Sequence, residues 1–262
     1  MDLHFDETLA DDYKSARQKI RVMSENWFYK NMFCPVCGNL RVEKFENNRP
    51  VADFVCKKCG EIFELKTKCG RLGKKIADGA YHTMMERLVD LKNPNLFVMQ
   101  YDKNFCVTDL MLIPKFFFVP SVIEKRKPLS QNARRAGWIG CNILVSEIPV
   151  QGRIPVVQKK SIFDSSRVVE NFNRIKILRT ENIENRGWLF DVLNCINSIP
   201  RKDFFTSDVY DFARTLSEKH SANKNVHAKI RQQLQILRDK GFVEFLERGH
   251  YRKLHQEFLC SP

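Results

Sequence analysis

Two copies of a Cys-x-x-Cys-Gly turn, Cys34-Pro-Val-Cys37-Gly38 and Cys56-Lys-Lys-Cys59-Gly60, lie 18 residues apart and constrain this chain more than any other feature. Each turn presents two thiolates at the separation a tetrahedral zinc ion needs, and the glycine after it opens the backbone toward the metal. With Cys34, Cys37, Cys56 and Cys59 filling all four positions, no place is left for substrate, so the implied Zn2+ is structural. Two chance pairs, or a redox dithiol, are the competing reading, and the repetition of pair plus glycine at ribbon spacing disfavours it. Cys69, Cys106, Cys141, Cys195 and Cys260 have no partner spacing and read as ordinary small residues. The odd total of nine and the absence of an export signal favour metal binding in a reducing compartment over disulfides.

A formal net charge of +13 over 262 residues calls for a polyanionic partner, and nucleic acid is favoured because each phosphate neutralised releases counterions. The excess is clustered. Residues 57–75 hold seven basic against two acidic residues, 115–135 six against one, and 223–240 five against one. A single cluster of this kind is usually a solvated face, but these three each border a motif. No apolar run reaches the length of a membrane span, and no small-molecule cofactor signature is present. A cytoplasmic, bacterial protein is expected.

Residues 7–31 carry a helical pattern with Tyr13, Ile20, Met23, Trp27 and Phe28 on one stripe. Asp78 is placed to cap a helix reaching about Asp90, with Ala80, Met84, Met85 and Leu88 turned inward. Strand-like runs follow at 95–101, 106–113 and 153–158, with a basic, irregular loop at 114–142 between the last two. Near residue 181 the pattern becomes linker-like. Beyond it come helices at 187–199, 206–219 and 225–240, then strands at 242–246 and 250–254, the order of a winged helix-turn-helix. The expected domains are therefore 1–181 and 182–262.

Asp53 precedes the second knuckle, while Glu64 and Lys66 follow it in Glu61-Ile-Phe-Glu64-Leu-Lys66. If that knuckle tips a hairpin with its turn centred on Lys57 and Lys58, Asp53 faces about Ile62 and lies diagonally across from Glu64. Lys66 shares the face of Glu64 by alternation. Two carboxylates and a lysine suit phosphodiester hydrolysis: the carboxylates hold Mg2+, and the lysine positions or helps deprotonate the attacking water. On spacing alone, a surface salt-bridge cluster fits equally well.

Several long stretches resemble the DpnI-type methyl-directed restriction endonucleases, within the PD-(D/E)xK nucleases. They are Phe45-Glu-Asn-Asn-Arg-Pro-Val-Ala-Asp-Phe54 with its flanking cysteine pairs, Asp78-Gly-Ala-Tyr81, Ala133-Arg-Arg-Ala-Gly-Trp-Ile-Gly-Cys-Asn142 and Ile230-Arg-Gln-Gln-Leu-Gln-Ile-Leu-Arg-Asp-Lys240. The likeness runs from Leu3 to Leu254. It implies an α/β (α+β) PD-(D/E)xK core with a zinc-ribbon-type insertion and a carboxy-terminal winged helix. It also implies Asp53 and Glu64 as Mg2+ ligands and Lys66 as the catalytic lysine. Pro50 stands three places before Asp53 rather than beside it, a departure that leaves the catalytic set in place. The implied substrate is double-stranded DNA at GATC carrying N6-methyladenine, cut without a companion methyltransferase in defence against DNA modified by others. The chain is expected to act as a monomer, one site per domain.

Burying one methyl group is worth only ~0.8 kcal/mol, so strong discrimination needs a tight fit at more than one place. One candidate is Arg134, Arg135 and Trp138, where the basic pair holds phosphates while the indole meets the base edge; Trp138 as a buried anchor is the plainer alternative. The other is the helix at 225–240. Its buried stripe is Val226, Ile230, Leu234 and Leu237, which turns His227, Ala228, Arg231, Gln232 and Gln235 toward bases. Arg248, His250 and Arg252 on the wing are expected at phosphates. Two other classes compete. A non-cleaving reader of methylated DNA needs no Asp53, Glu64 and Lys66, and an RNA nuclease has no use for a major-groove helix.

Overall fold

The computed structural model describes residues 1–45, 52–89 and 93–254. Pro50, Asp90 and Cys260, which the sequence singles out, lie outside the described residues. In chain order the elements are α1 (Ala16–Asn31), β1 (Glu43–Lys44), β2 (Phe54–Val55), β3 (Ile62–Cys69), β4 (Ile76–Ala80), α2 (Tyr81–Val89), β5 (Asn95–Tyr101) and β6 (Val107–Ile113). Then come β7 (Ile123–Lys125), β8 (Gly140–Ile143), β9 (Ile154–Gln158), β10 (Ser161–Ile162), α3 (Ser165–Lys176) and α4 (Ile183–Ser198). The last are β11 (Asp203–Phe205), α5 (Thr206–Tyr210), α6 (Ala213–Lys219), α7 (Val226–Asp239), β12 (Val243–Glu247) and β13 (His250–Lys253).

A seven-stranded sheet in the order β1-β2-β3-β5-β6-β9-β10 forms the larger half, with β3 and β5 parallel and the other pairs antiparallel. The run Leu96-Phe-Val-Met99 is buried on both faces, as a central strand must be. Phe28 of α1 packs on Phe54 and Phe97, with ring centroids 4.4 and 4.8 Å away, and so fastens the helix to the middle of the sheet. The helix is shorter than its periodicity suggested. Glu7–Ala10 is a separate 3-10 turn, and Tyr13 is exposed. Asp11 and Asp12, which favour turns over helix interiors, mark the break.

Two further expectations need correction. Asp78 caps nothing: it and Ala80 belong to β4, and α2 starts only at Tyr81. The basic stretch 114–142 is not all irregular either, because its β7 and β8 join β4 in a small antiparallel sheet, order β4-β8-β7.

From Ile183 onward, helices α4 to α7 pack beside a three-stranded sheet, order β11-β13-β12. The helix expected at 206–219 breaks at Asp211–Phe212 into α5 and α6, and β11 has no counterpart in the sequence pattern. Helix α4 is buried almost all round, the mark of a helix with neighbours on every side. Phe190 stacks on Phe117 at 4.5 Å, and Asn194 donates to the Glu147 carbonyl at 2.6 Å. The fully buried Arg186 guanidinium donates to the carbonyls of Leu88 and Thr180. On its other side Trp188 stacks on His220, and Asp191 accepts from Lys219 and pairs with His220. Among the described residues no helix is long and apolar enough to cross a membrane.

Candidate active site and nucleic-acid interface

The second knuckle sets the register of everything near it. Its turn is closed by Cys56 N–H to the Glu61 carbonyl and Gly60 N–H to the Cys56 carbonyl, both 2.8 Å, with Gly60 at φ +74°. That centres the turn later than Lys57–Lys58. Val55, not Asp53, faces Ile62, and Phe54 faces Phe63. Asp53 therefore stands one position beyond the last pair, beside Glu64 rather than diagonal to it. Its N–H donates to Phe63, and its carboxylate accepts the Leu65 N–H at 2.8 Å.

The four knuckle thiols converge. Cys34 Sγ lies 3.7 Å from Cys59 Sγ and Cys37 Sγ 3.6 Å from Cys56 Sγ, and all four sulfurs lie within 4.8 Å of one another. A tetrahedron of Zn–S bonds spaces its sulfurs about 3.8 Å apart, so this donor set fits zinc. At Cys56 burial acts upward on the thiol, but the Cys59 N–H and the Cys37 thiol outweigh it and bring the pKa down to about 7.

A cleft of about 720 Å³ brings Asp53, Glu64 and Lys66 together under α1, with Arg21 and Glu25 on its opposite wall. The Lys66 ammonium bridges two carboxylates, Glu64 at 2.5 Å and Asp78 at 2.8 Å. Burial pushes Glu64 up to about 7; the lysine opposes this, but the Asp78 and Asp53 charges reinforce it. Burial also raises Asp53, against the Leu65 hydrogen bond and with help from Glu25. Burial works against the Lys66 charge, yet Glu64 and Asp78 together hold its pKa above the ordinary value. Three carboxylates thus surround one lysine. Glu25 is committed elsewhere, to Arg21 at 2.6 Å and to Lys44. Asp53 and Glu64 are hard oxygen donors that face one half-buried cleft, so the chemistry of the pair fits Mg2+.

Sequence reasoning missed Asp78. Its signal lay in Asp78-Gly-Ala-Tyr81, read there as a cap. The same β4 joins this corner to Trp138, because Asp78 pairs with Cys141 and Ala80 with Gly140 on β8. The indole lies over Gly140, where an added Cβ would come within 2.8 Å of the ring. Trp138 lines an apolar hollow of about 530 Å³ with Tyr81, Met85 and Lys125. Arg135 sits 5.9 Å over the Trp138 ring, and Arg134 is exposed.

On α7, Ile230, Leu234 and Leu237 are fully buried, while Arg231, Gln232 and Gln235 are exposed. His227 stacks on Tyr210 at 4.2 Å, Arg231 donates to the Tyr210 hydroxyl at 2.8 Å, and the Ala228 N–H is capped by Asn225. Arg248 projects from the turn between β12 and β13, and His250 stacks on Phe205 at 4.4 Å. The Arg252 guanidinium is bound bidentately to Asp203 at 2.8 and 3.0 Å and so ties β13 to β11.

Two family models cover this architecture. Residues 1–181 match DpnI, the Dam-replacing family, and residues 184–253 match DpnI_C, the Dam-replacing HTH domain. The chain belongs to the DpnI family. Membership supports a restriction endonuclease of the methyl-dependent kind, a nuclease that binds DNA with a carboxy-terminal helix-turn-helix domain. In this DpnI-family chain the four-cysteine cluster is compatible with a zinc site.

Proposed function

We propose that this protein hydrolyses phosphodiester bonds of double-stranded DNA at GATC sites carrying N6-methyladenine, using Mg2+ held by Asp53 and Glu64. The observation that carries the reading is the convergence of Asp53, Glu64 and Lys66 in one cleft of a DpnI-family chain. Bound magnesium would polarise the phosphate and lower the pKa of a coordinated water. Lys66, kept charged by Glu64 and Asp78, donates hydrogen bonds and stabilises negative charge developing on the phosphate rather than acting as a base. Asp53 and Glu64 stand ready on neighbouring strands, and the Leu65 N–H fixes the Asp53 carboxylate. Cys34, Cys37, Cys56 and Cys59 would hold zinc, which would anchor the hairpin that carries Asp53.

Two readers serve specificity. Trp138 and its hollow, flanked by Arg134 and Arg135, receive the methylated edge beside the catalytic corner. His227, Ala228, Arg231, Gln232 and Gln235 on α7 read the major groove, and Arg248 with His250 approaches the backbone. The nuclease part ends near residue 181, and the protein works in the cytoplasm as a monomer.

One plasmid prepared with and without adenine methylation at GATC tests this, incubated with magnesium beside Asp53→Ala. Cutting of the methylated plasmid alone, lost in the variant, is the expected result. Binding of methylated DNA with neither plasmid cut would replace the nuclease reading with a non-cleaving reader.

A further inference from the structure

Where β3 runs out, a second hollow of about 760 Å³ opens, distinct from the catalytic cleft. Its lining includes Lys68, Arg71, Lys74 and Arg153, against a single carboxylate, Asp109. That carboxylate already accepts the Lys159 N–H at 3.1 Å. Elsewhere this chain pairs many of its lysines: Lys75 with Glu124, Lys115 with Glu61, Lys160 with Asp102. Among the described residues none of the four cations in the hollow has a side-chain hydrogen bond or ion pair. The Arg153 Nε is closed off from solvent with no partner, and burial lowers the pKa of its guanidinium.

Four uncompensated cations around one concavity repel one another in the free protein, and a polyanion relieves that repulsion. Lys68 lies two residues past Lys66 on the same face of β3, about 6.6 Å further along the strand. A displacement of that size keeps Lys68 within reach of a phosphate neighbouring the one at Lys66 on the same DNA strand. We infer that the hollow seats phosphates of the bound DNA strand beyond the cleavage point, with Lys68, Arg71 and Lys74 meeting the backbone and Arg153 as the anchor. The inference rests on the nuclease reading, because it takes Lys66 as the origin of the track. It adds a sequence-independent grip inside the nuclease half, separate from Trp138 and α7.

The test uses the full chain with fluorescently labelled methylated and unmethylated duplexes, calcium replacing magnesium so that binding is read without hydrolysis. Affinity is followed against salt for the wild type, for Lys68→Ala/Arg71→Ala/Lys74→Ala and for Arg153→Gln. The slope of log K against log salt is expected to shrink by about one for each phosphate that is no longer neutralised. Affinity falls on the order of tenfold or more, equally for both duplexes. Unchanged slope and affinity in the triple variant overturn the inference; its three residues are exposed, so it folds even if Arg153→Gln does not. Tight binding of pyrophosphate or ATP, abolished in the triple variant while the DNA slope stays put, makes the hollow a small-anion site and also overturns it. A wild type that cuts neither plasmid sinks the nuclease reading instead, and the slopes report on the hollow regardless.

Discussion

At the proposed catalytic corner the Lys66 ammonium is pinned between Glu64 and Asp78, and burial raises the pKa of Glu64 and Asp53 alike. On α7, by contrast, Arg231, Gln232 and Gln235 stand in solvent over a row of buried leucines and isoleucine. The first arrangement holds charge where the fold alone would not favour it, as chemistry on a phosphate requires. The second leaves Gln232 and Gln235 hydrated and steers only Arg231, through the Tyr210 hydroxyl, so in the proposed reading the arriving bases complete their geometry. Damage to the corner should therefore abolish cleavage with binding intact, while damage to the helix should grade binding with chemistry intact.

Four experiments can break that contrast. Stripping zinc with a chelator is expected to have the largest effect, since structural zinc sites contribute folding free energy outright. Loss of the knuckle frees the hairpin carrying Asp53, so cleavage should vanish together with a part of the β-sheet circular dichroism. Cleavage that survives complete zinc removal would detach the knuckle from the site. Next, Lys66→Ala should slow single-turnover cleavage by on the order of 10²–10³-fold while DNA affinity changes little. A matching loss of affinity would make Lys66 a binding group. Gln232→Ala on the exposed helix should weaken specific binding by roughly 1–3 kcal/mol and relax one base position, with single-turnover cleavage of bound DNA unaltered.

The smallest effect is expected at the wing. Arg252 holds the Asp203 carboxyl below its ordinary value of 3.8. A lowered carboxylate pKa adds stability above the unfolded value and loses it as pH falls through the folded one. The melting temperature of the wild type should thus slightly exceed that of Asp203→Asn at neutral pH, and the two should converge in acid. A gap that persists after the pH has fallen below the lowered value of the folded Asp203 carboxyl would mean that the pair acts by packing.

Legibility differed between the same two regions. The knuckles, β5, β6, β9 and α7 could be read because each rests on local spacing: thiol pairs, an unbroken apolar run, a helical stripe. The winged half gave up its helices in the same way, but β11 is three residues long and exists only by pairing with β13. Asp78 was misread because helix capping and burial against Lys66 begin from the same local pattern, an aspartate just before a helix. Only the pairing of β4 with β8, about 60 residues on, separates the two. The Asp53 register went astray by two residues because a zinc knuckle closes its turn around Cys56–Glu61. The Arg252 pair was likewise out of reach, because its partner Asp203 lies on the strand that local patterns could not reveal.

Helix α4 belongs to two interiors at once, and this bears on how such proteins can be recombined. Phe190 and Arg186 complete the packing of the sheet half, while Trp188 and Asp191 complete that of the winged half. A chimera joined at residue 181 would leave Phe117 and the Leu88 carbonyl bare on one fragment, and a junction after Ser198 would strip His220 and Lys219 of their partners on the other. Nuclease and reader cannot be exchanged as beads on a string; a working graft would have to carry this one helix twice.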